Sequence, residues 1–398
     1  MRPKIGNINQ AGPVGYDVRP DKNIIFARSQ NNTMKIAILG TRGIPNHYGG
    51  FEQFAEYFSV YLVNQGHEVY VYNSHNHPYQ EKDFHGVKIL HQNDPEHKVG
   101  TFGQFIYDYN CILDARTRDF DIILQLGYTS SSVWFYLLPK KPLIITNMDG
   151  LEWKRSKYSR PVRQFLKFAE RLAAVSSDYL IADSLGIQTS LKSRYNKESV
   201  YIAYGAYPFD SPDESVLGRY GVTAGNYHMI MARFEPENNF DMVLQGISKS
   251  DDPTPILVVG NHSKKYGQYL QKKYAGFDKI RFMGAIYNLP DLNSLRYYSN
   301  LYFHGHSVGG TNPSLLEAMA SQAFVVAHDN PFNKGILKEN AFYFSSWKDV
   351  KNIVETVQKK DNLQKVQDNY RQIVNEYNWD KINGQYLDFF NQCMAKKR

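Results

Sequence analysis

From Met34 onward, short runs of β-branched and other apolar residues alternate with longer stretches of helical hydrophobic spacing. That alternation is the signature of βαβ units laid on parallel sheets. A first series of predicted strands runs Lys35–Leu39, Glu68–Tyr72, Ile122–Leu126, Leu143–Asn147, Tyr179–Ala182 and Val200–Ala203. The pattern breaks over Tyr204–Asp213, where Gly205, Pro208 and Pro212 oppose continuation of either helix or strand. A second series follows at Tyr227–Met231, Ile256–Val259, Ile280–Met283, Leu301–His304, Phe324–Ala327 and Ala341–Phe344. The pattern therefore predicts two doubly wound α/β domains in tandem, over residues 34–207 and 208–379.

A length of 398 residues suits two such domains, each large enough to bury its own core. Hydrophobic residues at 42% and charged residues at 21% are ordinary for a globular protein, while 30 tyrosines are many. Only Cys111 and Cys393 carry thiols, which leaves neither a disulfide framework nor a thiolate metal cluster and fits a reducing cytoplasm. The apolar runs fall far short of the roughly 20 residues a membrane-spanning helix needs. Residues 1–33 lack the apolar core of a signal peptide and are rich in Asn, Gln, Pro and Gly; they read as a disordered or extended lead-in, with Met34 a candidate start.

Ligands of doubly wound sheets sit beyond the carboxyl ends of the strands, so the loops after Leu39, Asn147, Met231, Val259 and His304 are the ones to search. After Leu39 comes Gly40–Glu52, with Gly43, Tyr48, Gly49 and Gly50, and a helical pattern from about Gln53. Its glycines let backbone amides approach a ligand, and a helix start favours anions. Taken alone, a flexible βα loop explains it equally well, and the spacing G-x-G-x-x-G of dinucleotide binders is absent. After Asn147 come Asp149, Gly150 and Glu152, carboxylates placed to meet sugar hydroxyls or accept a proton; an Asp-Gly turn is the plainer explanation.

The next segment carries Lys154, Arg155, Lys157, Arg160, Arg163, Lys167 and Arg171 against one acid, Glu170, interleaved with aromatic residues. With a net charge of +7, an anionic membrane surface or a lipid diphosphate suits it, and no nucleic-acid motif accompanies it. A solvated basic helix packing its aromatic side on the domain is the commoner outcome for such a pattern. In the second series, Arg233 after Met231 offers paired planar donors to a diphosphate, unless it only pairs with Glu235 or Glu237 at the surface. Gly260–Ser263 could approach a nucleotide base.

The strongest signal is His304–Ala320. Asn312 is a good N-cap and Pro313 a good first helical residue, so the amides of Gly309, Gly310 and Thr311, with those of the helix start including Ser314, form a pocket for a pyrophosphate. Glu317, about one turn further on, could accept hydroxyl hydrogens from a nucleoside sugar; as an isolated residue it would read as solvent-facing. His304 and His306 would read as satisfied core or loop histidines.

At Leu39–Pro45, Tyr48–Glu52, Asp149–Arg155, Ala232–Asn239 and His304–Ala320 the chain resembles the retaining glycosyltransferases of family 4, and within them the bacterial L-rhamnosyltransferases of surface polysaccharides such as capsule and O-antigen. The resemblance covers nearly everything from Met34, and Tyr377–Ile382 resembles the closing helix, about 380–398, that crosses back to the first domain. It implies a GT-B fold: two Rossmann-like domains facing across a cleft, donor held by the second, acceptor by the first, no metal or other cofactor required. By the same resemblance, Arg233, His306, Gly309, Gly310, Thr311, Asn312, Ser314, Glu317 and Gly43 hold a nucleotide-sugar, expected to be dTDP-L-rhamnose. Tyr48, Gly49, Gly50, Glu52 and Glu152 face a polyprenyl-diphosphate-linked saccharide, and Asp149, Arg233 and Glu317 carry the transfer.

The family's Glu-x7-Glu pair falls on Gly309 and Glu317, and its phosphate-loop Arg and Lys fall on Arg233 and Asn238. The first glutamate and the lysine are therefore missing, as in the rhamnosyl subgroup. The expected location is the cytoplasmic face of the plasma membrane. UDP-glucose, UDP-galactose and GDP-sugars stand as alternative donors, and a Rossmann-type oxidoreductase or a non-catalytic membrane-surface module as distant alternatives.

Overall fold

The computed structural model describes residues 33–148, 150–155 and 158–397. Fourteen strands among them form two sheets. The first contains β1 (Lys35–Leu39), β2 (Glu68–Ser74), β3 (Asp83–Phe84), β4 (Val87–Gln92), β5 (Ile122–Leu126), β6 (Leu143–Asn147), β7 (Tyr179–Ala182) and β8 (Val200–Tyr201), in the order β3-β4-β2-β1-β5-β6-β7-β8. The second contains β9 (His228–Met231), β10 (Ile256–Val259), β11 (Ile280–Gly284), β12 (Tyr302–His304), β13 (Val325–His328) and β14 (Phe342–Phe344), in the order β11-β10-β9-β12-β13-β14. Every pairing is parallel except β3 with β4.

The central strands read as unbroken apolar runs because helices cover both faces of a parallel sheet; all five residues of β5 are buried. The helix Gly50–Asn64 shows the complementary spacing, burying Phe54, Phe58 and Leu62 at intervals of four. It begins three residues earlier than the pattern predicts. Gly49 is extended and can serve as the N-cap position without a side chain, so the chain turns helical at once.

The edge pair β3–β4 escapes the sequence reading. Two residues with positive φ, His85 (50°) and Gly86 (86°), join the strands in the tight turn that suits a hairpin's twist. β4 is edgeward and only partly buried, so its apolar content is thin. The predicted Val200–Ala203 strand is likewise only two residues long, because Ile202 and Ala203 lead straight into the break near Gly205.

The closing helix Trp379–Lys397 packs its apolar side on the first domain's helix Gly50–Asn64, with Tyr386 4.7 Å from Phe54 and Phe390 5.6 Å from Phe58, ring centre to ring centre. The Tyr386 hydroxyl accepts from Asn147 at the end of β6 (2.8 Å). No helix among the described residues is long and apolar enough to cross a membrane.

Candidate active site

Strand order reverses between β1 and β5 in the first sheet and between β9 and β12 in the second. Such reversals open a crevice at the carboxyl ends of the strands. The loops after β1, β9 and β12 are the ones richest in the candidate residues, and the two crevices meet.

The loop after β12 leads into the helix Pro313–Ala320, capped as its sequence predicts: Asn312 Oδ1 accepts the Ser314 amide (3.0 Å). The same oxygen accepts the Ser314 hydroxyl (2.9 Å), and the Leu315 amide donates to the Asn312 carbonyl (3.0 Å). Ser314 therefore has its donors spent on the cap. An anion here would be met by the amides upstream, at Gly309, Gly310 and Thr311. Gly309 has φ +142° and open space where a Cβ would stand, so the position of the missing glutamate is a gap in the cleft.

Glu317 is not a solvent-facing residue. Its Oε2 accepts from Arg296 (2.8 Å), whose guanidinium is fully buried and also donates to Asn293 Oδ1 (2.9 Å). The carboxylate keeps 24% of its side-chain surface accessible. Arg296 comes from the last turn of the helix Leu289–Tyr298, a region the sequence reading passed over because a lone arginine in a helix looks like a surface charge.

His304 and His306 stack with ring centres 4.4 Å apart. Neither ring nitrogen of His304, nor His306 Nδ1, has a hydrogen-bond partner in the structure. Burial first, then the Arg233 and Arg155 guanidiniums, push His306 down to about 3, and burial with His306 beside it pushes His304 down as well. Both are neutral imidazoles, not the satisfied histidines that isolated residues would suggest. His306 thus lies near cations of both domains.

Its carbonyl is fixed by Asn330 (3.0 Å) and Asn333 (3.1 Å), and the Ser307 amide and hydroxyl both donate to the Glu237 carbonyl. Arg233 itself is exposed, and the Asn238 side chain standing in the lysine's place donates to the Arg233 carbonyl (2.8 Å). No ion pair of Arg233 with Glu235 or Glu237 is formed among the described residues.

This neutral state has a measurable consequence. A free imidazole titrates near 6.5, so as pH falls the unfolded chain takes up the His306 proton before the folded one. Stability from this group is complete above about 6.5 and is lost progressively toward pH 3. At pH 5 it costs about 2 kcal/mol, from about 1.4 kcal/mol per unit. Denaturation midpoints should fall less between pH 7.5 and 5 in His306→Asn than in the parent; parallel curves would show that the imidazole is solvated. Asp108, pushed up to about 7 by burial, acts in the opposite direction but equally in both proteins.

In the first domain the loop after β1 is closely tied. Glu52 is buried and accepts the Arg42 amide (2.9 Å), while the Arg42 side chain grips Glu96 and stacks on Tyr48, its guanidinium carbon 3.8 Å from the ring centre. Gly43, with φ +126°, packs on Asn73; a Cβ there would lie 2.5 Å from Asn73 Oδ1. The loop's own packing therefore leaves no room for a side chain at Gly43. Gly49 and Gly50 open the following helix, and the Gly50 carbonyl accepts from Tyr204 (2.5 Å). Glu152 pairs with Arg155 (2.6 Å). Asp149 and Lys157 lie outside the described residues.

The two domains touch at this point. Gly150 faces Gly309, Gly50 faces Pro313, and Gly310 packs on the Asp183 carboxylate, whose main-chain carbonyl accepts the Thr311 hydroxyl. Asp183 directly follows β7, at the carboxyl end of a strand, where the same search rule would have found it had the loop after Ala182 been included.

The basic segment divides. Lys154 and Lys167 ride on the Trp153 ring at 5.4 and 4.7 Å from its centre, while Arg160 and Arg171 are exposed. Glu170 is buried and holds Arg194, Tyr195 and Trp153.

Residues 33–207 match a domain of unknown function, DUF1972, and residues 223–376 match the glycosyl transferases group 1 family. A search of curated proteins finds no match. Among solved structures, sucrose-phosphate synthase of Thermosynechococcus elongatus superposes with a TM-score of 0.75 at 14% identity, covering 91% of this chain and 100% of that one. HepE of Anabaena, in complex with UDP and glucose, does so at 0.70 and 17%, covering 90% and 99%. WaaG, involved in lipopolysaccharide biosynthesis, gives 0.67 and 12%, covering 89% and 99%. Fold and domain match together support a GT-B glycosyltransferase. In the second domain, the match to the glycosyl transferases group 1 family spans both Arg233 and the Gly309–Glu317 segment.

Proposed function

We propose that this glycosyltransferase moves L-rhamnose from dTDP-L-rhamnose, with retention and without a metal, onto a polyprenyl-diphosphate-linked saccharide in surface-polysaccharide synthesis. The observation that carries the reading is the amide row Gly309–Thr311 set before an N-capped helix, with Glu317 held one turn on by Arg296. Free amides at a helix start receive a diphosphate, and a carboxylate with 24% of its side-chain surface accessible at that distance suits the deoxyribose 3′-hydroxyl. The gap at Gly309 favours a donor whose sugar needs no carboxylate contact there.

In the transfer, the bond from the sugar's anomeric carbon to the diphosphate oxygen breaks as the acceptor oxygen bonds that carbon from the same face. The acceptor's proton passes to the departing diphosphate. Arg233 and the amides stabilise the growing negative charge, and neutral His306 offers a sugar hydroxyl a hydrogen-bond partner. Asp149 orients the acceptor hydroxyl. The basic segment Lys154–Arg171, with Arg155, Lys157, Arg160, Arg163 and Lys167, meets the lipid diphosphate and the anionic inner membrane surface.

UDP-glucose is the second reading, favoured by HepE, whose structures hold UDP, UDP-glucose, or UDP with glucose. A panel of dTDP-rhamnose, UDP-glucose, UDP-galactose and GDP-sugars against a polyprenyl-diphosphate-linked acceptor decides between them, run with and without EDTA. Turnover with dTDP-rhamnose alone, unchanged by EDTA, is expected. Arg233→Ala should lower kcat at least about a hundredfold, the scale of losing one charge-stabilising donor. Indifference to dTDP-rhamnose would sink the donor assignment.

A further inference from the structure

A cavity of about 470 Å³ opens on the first domain between the helix Phe102–Arg116 and the turn Ser131–Leu137, away from the donor loops. Phe102, Phe105, Ile106, Tyr109, Val133 and Trp134 line it. The Trp134 indole already donates to the Phe105 carbonyl (2.9 Å), so the lining has little with which to orient a polar ligand. Such a wall rewards hydrocarbon. At its rim Phe102 is 64% exposed, Tyr136 63% and Phe135 42%, a cluster of large apolar side chains that a protein surface seldom leaves uncovered.

What lies beside the cavity indicates its occupant. Phe165 of the helix Arg160–Ser176 sits 5.8 Å from Phe105, ring centre to ring centre. Val162 and Phe168, one turn to either side of it, are exposed. Arg160, Lys167 and Arg171 recur at the spacing i, i+7, i+11 and so form a neighbouring stripe of one sign. The helix's only acid, Glu170, is buried against Arg194 and does not offset that charge. Exposed Phe and Tyr bordered by a cationic stripe have the composition of a surface lying in the interface of an anionic bilayer.

We propose that this face seats the first domain on an anionic membrane, with the groove taking one hydrocarbon chain of a membrane lipid and the cationic stripe meeting the headgroups. This deepens the membrane contact proposed above by assigning the apolar half of it. The acceptor's lipid would then be presented to the cleft from a fixed side.

Full-length protein is mixed with vesicles of phosphatidylglycerol carrying brominated acyl chains, and tryptophan emission is read. Trp134 is the tryptophan in the groove, so strong quenching is expected that is largely lost in Trp134→Phe. Phe102→Ser with Tyr136→Ser, both at exposed positions, should weaken vesicle affinity about tenfold and leave the unfolding temperature and nucleotide affinity unchanged. Lys167→Gln with Arg171→Gln should weaken it only at low salt. Undiminished quenching in Trp134→Phe, equal affinity for neutral phosphatidylcholine vesicles, or no vesicle binding overturns the proposal. Titration of dTDP and UDP in parallel reports the donor site separately, so failure of one reading is distinguishable from failure of the other.

Discussion

Replacing Glu317 with alanine should lower the stability of the second domain by about 3 kcal/mol and weaken nucleotide binding at least about tenfold. Arg296 is the reason for the first effect. Its guanidinium has no exposed surface, and without Glu317 it keeps Asn293 Oδ1, a long contact to the Met231 sulfur at 3.6 Å and the Tyr302 ring at 6.0 Å, none of them an anion. A buried charge stripped of its counter-ion costs more than the pair contributed.

The second effect has another origin, since the carboxylate is proposed to hold the nucleoside sugar. Arg296→Met separates the two. It leaves a carboxylate already 24% accessible, which water can solvate, so stability should fall by only about 1 kcal/mol while donor affinity drops because Glu317 is no longer held in place. The double variant Arg296→Met with Glu317→Ala should regain most of the stability lost in Glu317→Ala and none of the donor affinity. Thermal unfolding and nucleotide titration of the three proteins measure both quantities. If the double variant also regained affinity, Glu317 would be a structural counter-ion only.

The pairing of Glu317 with Arg296 shows what the sequence could and could not reveal. Parallel sheets announce themselves through apolar runs buried on both faces, which is why β1, β5, β6, β7 and β10 fall on the predicted residues. The cap at Asn312 and Pro313 was legible for a similar reason, since its chemistry is local: one side-chain oxygen, one amide two residues on, and a proline where no donor is needed. Arg296 could not be read this way. Its partner lies 21 residues along the chain, and a helical arginine is usually exposed.

Gly43 is constrained at a similar distance along the chain. A glycine after a strand fits a ligand loop, and here Asn73, whose Oδ1 accepts the Ile44 amide (3.1 Å), also fills the space where a Cβ would stand. The side chain that requires glycine there lies 30 positions away in the sequence. The β3–β4 hairpin was hidden by its brevity rather than by distance.

Gly310→Ala should cut kcat/KM by roughly thirtyfold, corresponding to about 2 kcal/mol of overpacking, while leaving each domain's own unfolding nearly unchanged. A Cβ at this position would stand 2.5 Å from the Asp183 carboxyl carbon and closer still to one of its oxygens. Asp183 belongs to the first domain and Gly310 to the donor loop of the second, so the clash does not fall within either core. It is relieved by moving the loop or by opening the cleft, and either displaces the amides of Gly309–Thr311 from the diphosphate they are proposed to bind. Rate depends steeply on such placement, because a shift of an ångström in a positioned group can cost a hundredfold.

The complementary change tests the cause. Asp183→Ala removes the obstructing carboxylate, so combining it with Gly310→Ala should recover part of the loss beyond what the two single effects predict, a coupling of about 1 kcal/mol expected of residues in contact. The Thr311 hydroxyl bonds the Asp183 main-chain carbonyl, which the substitution leaves in place. Additive single effects, with no recovery in the double variant, would mean that the two domains do not close through this contact during turnover.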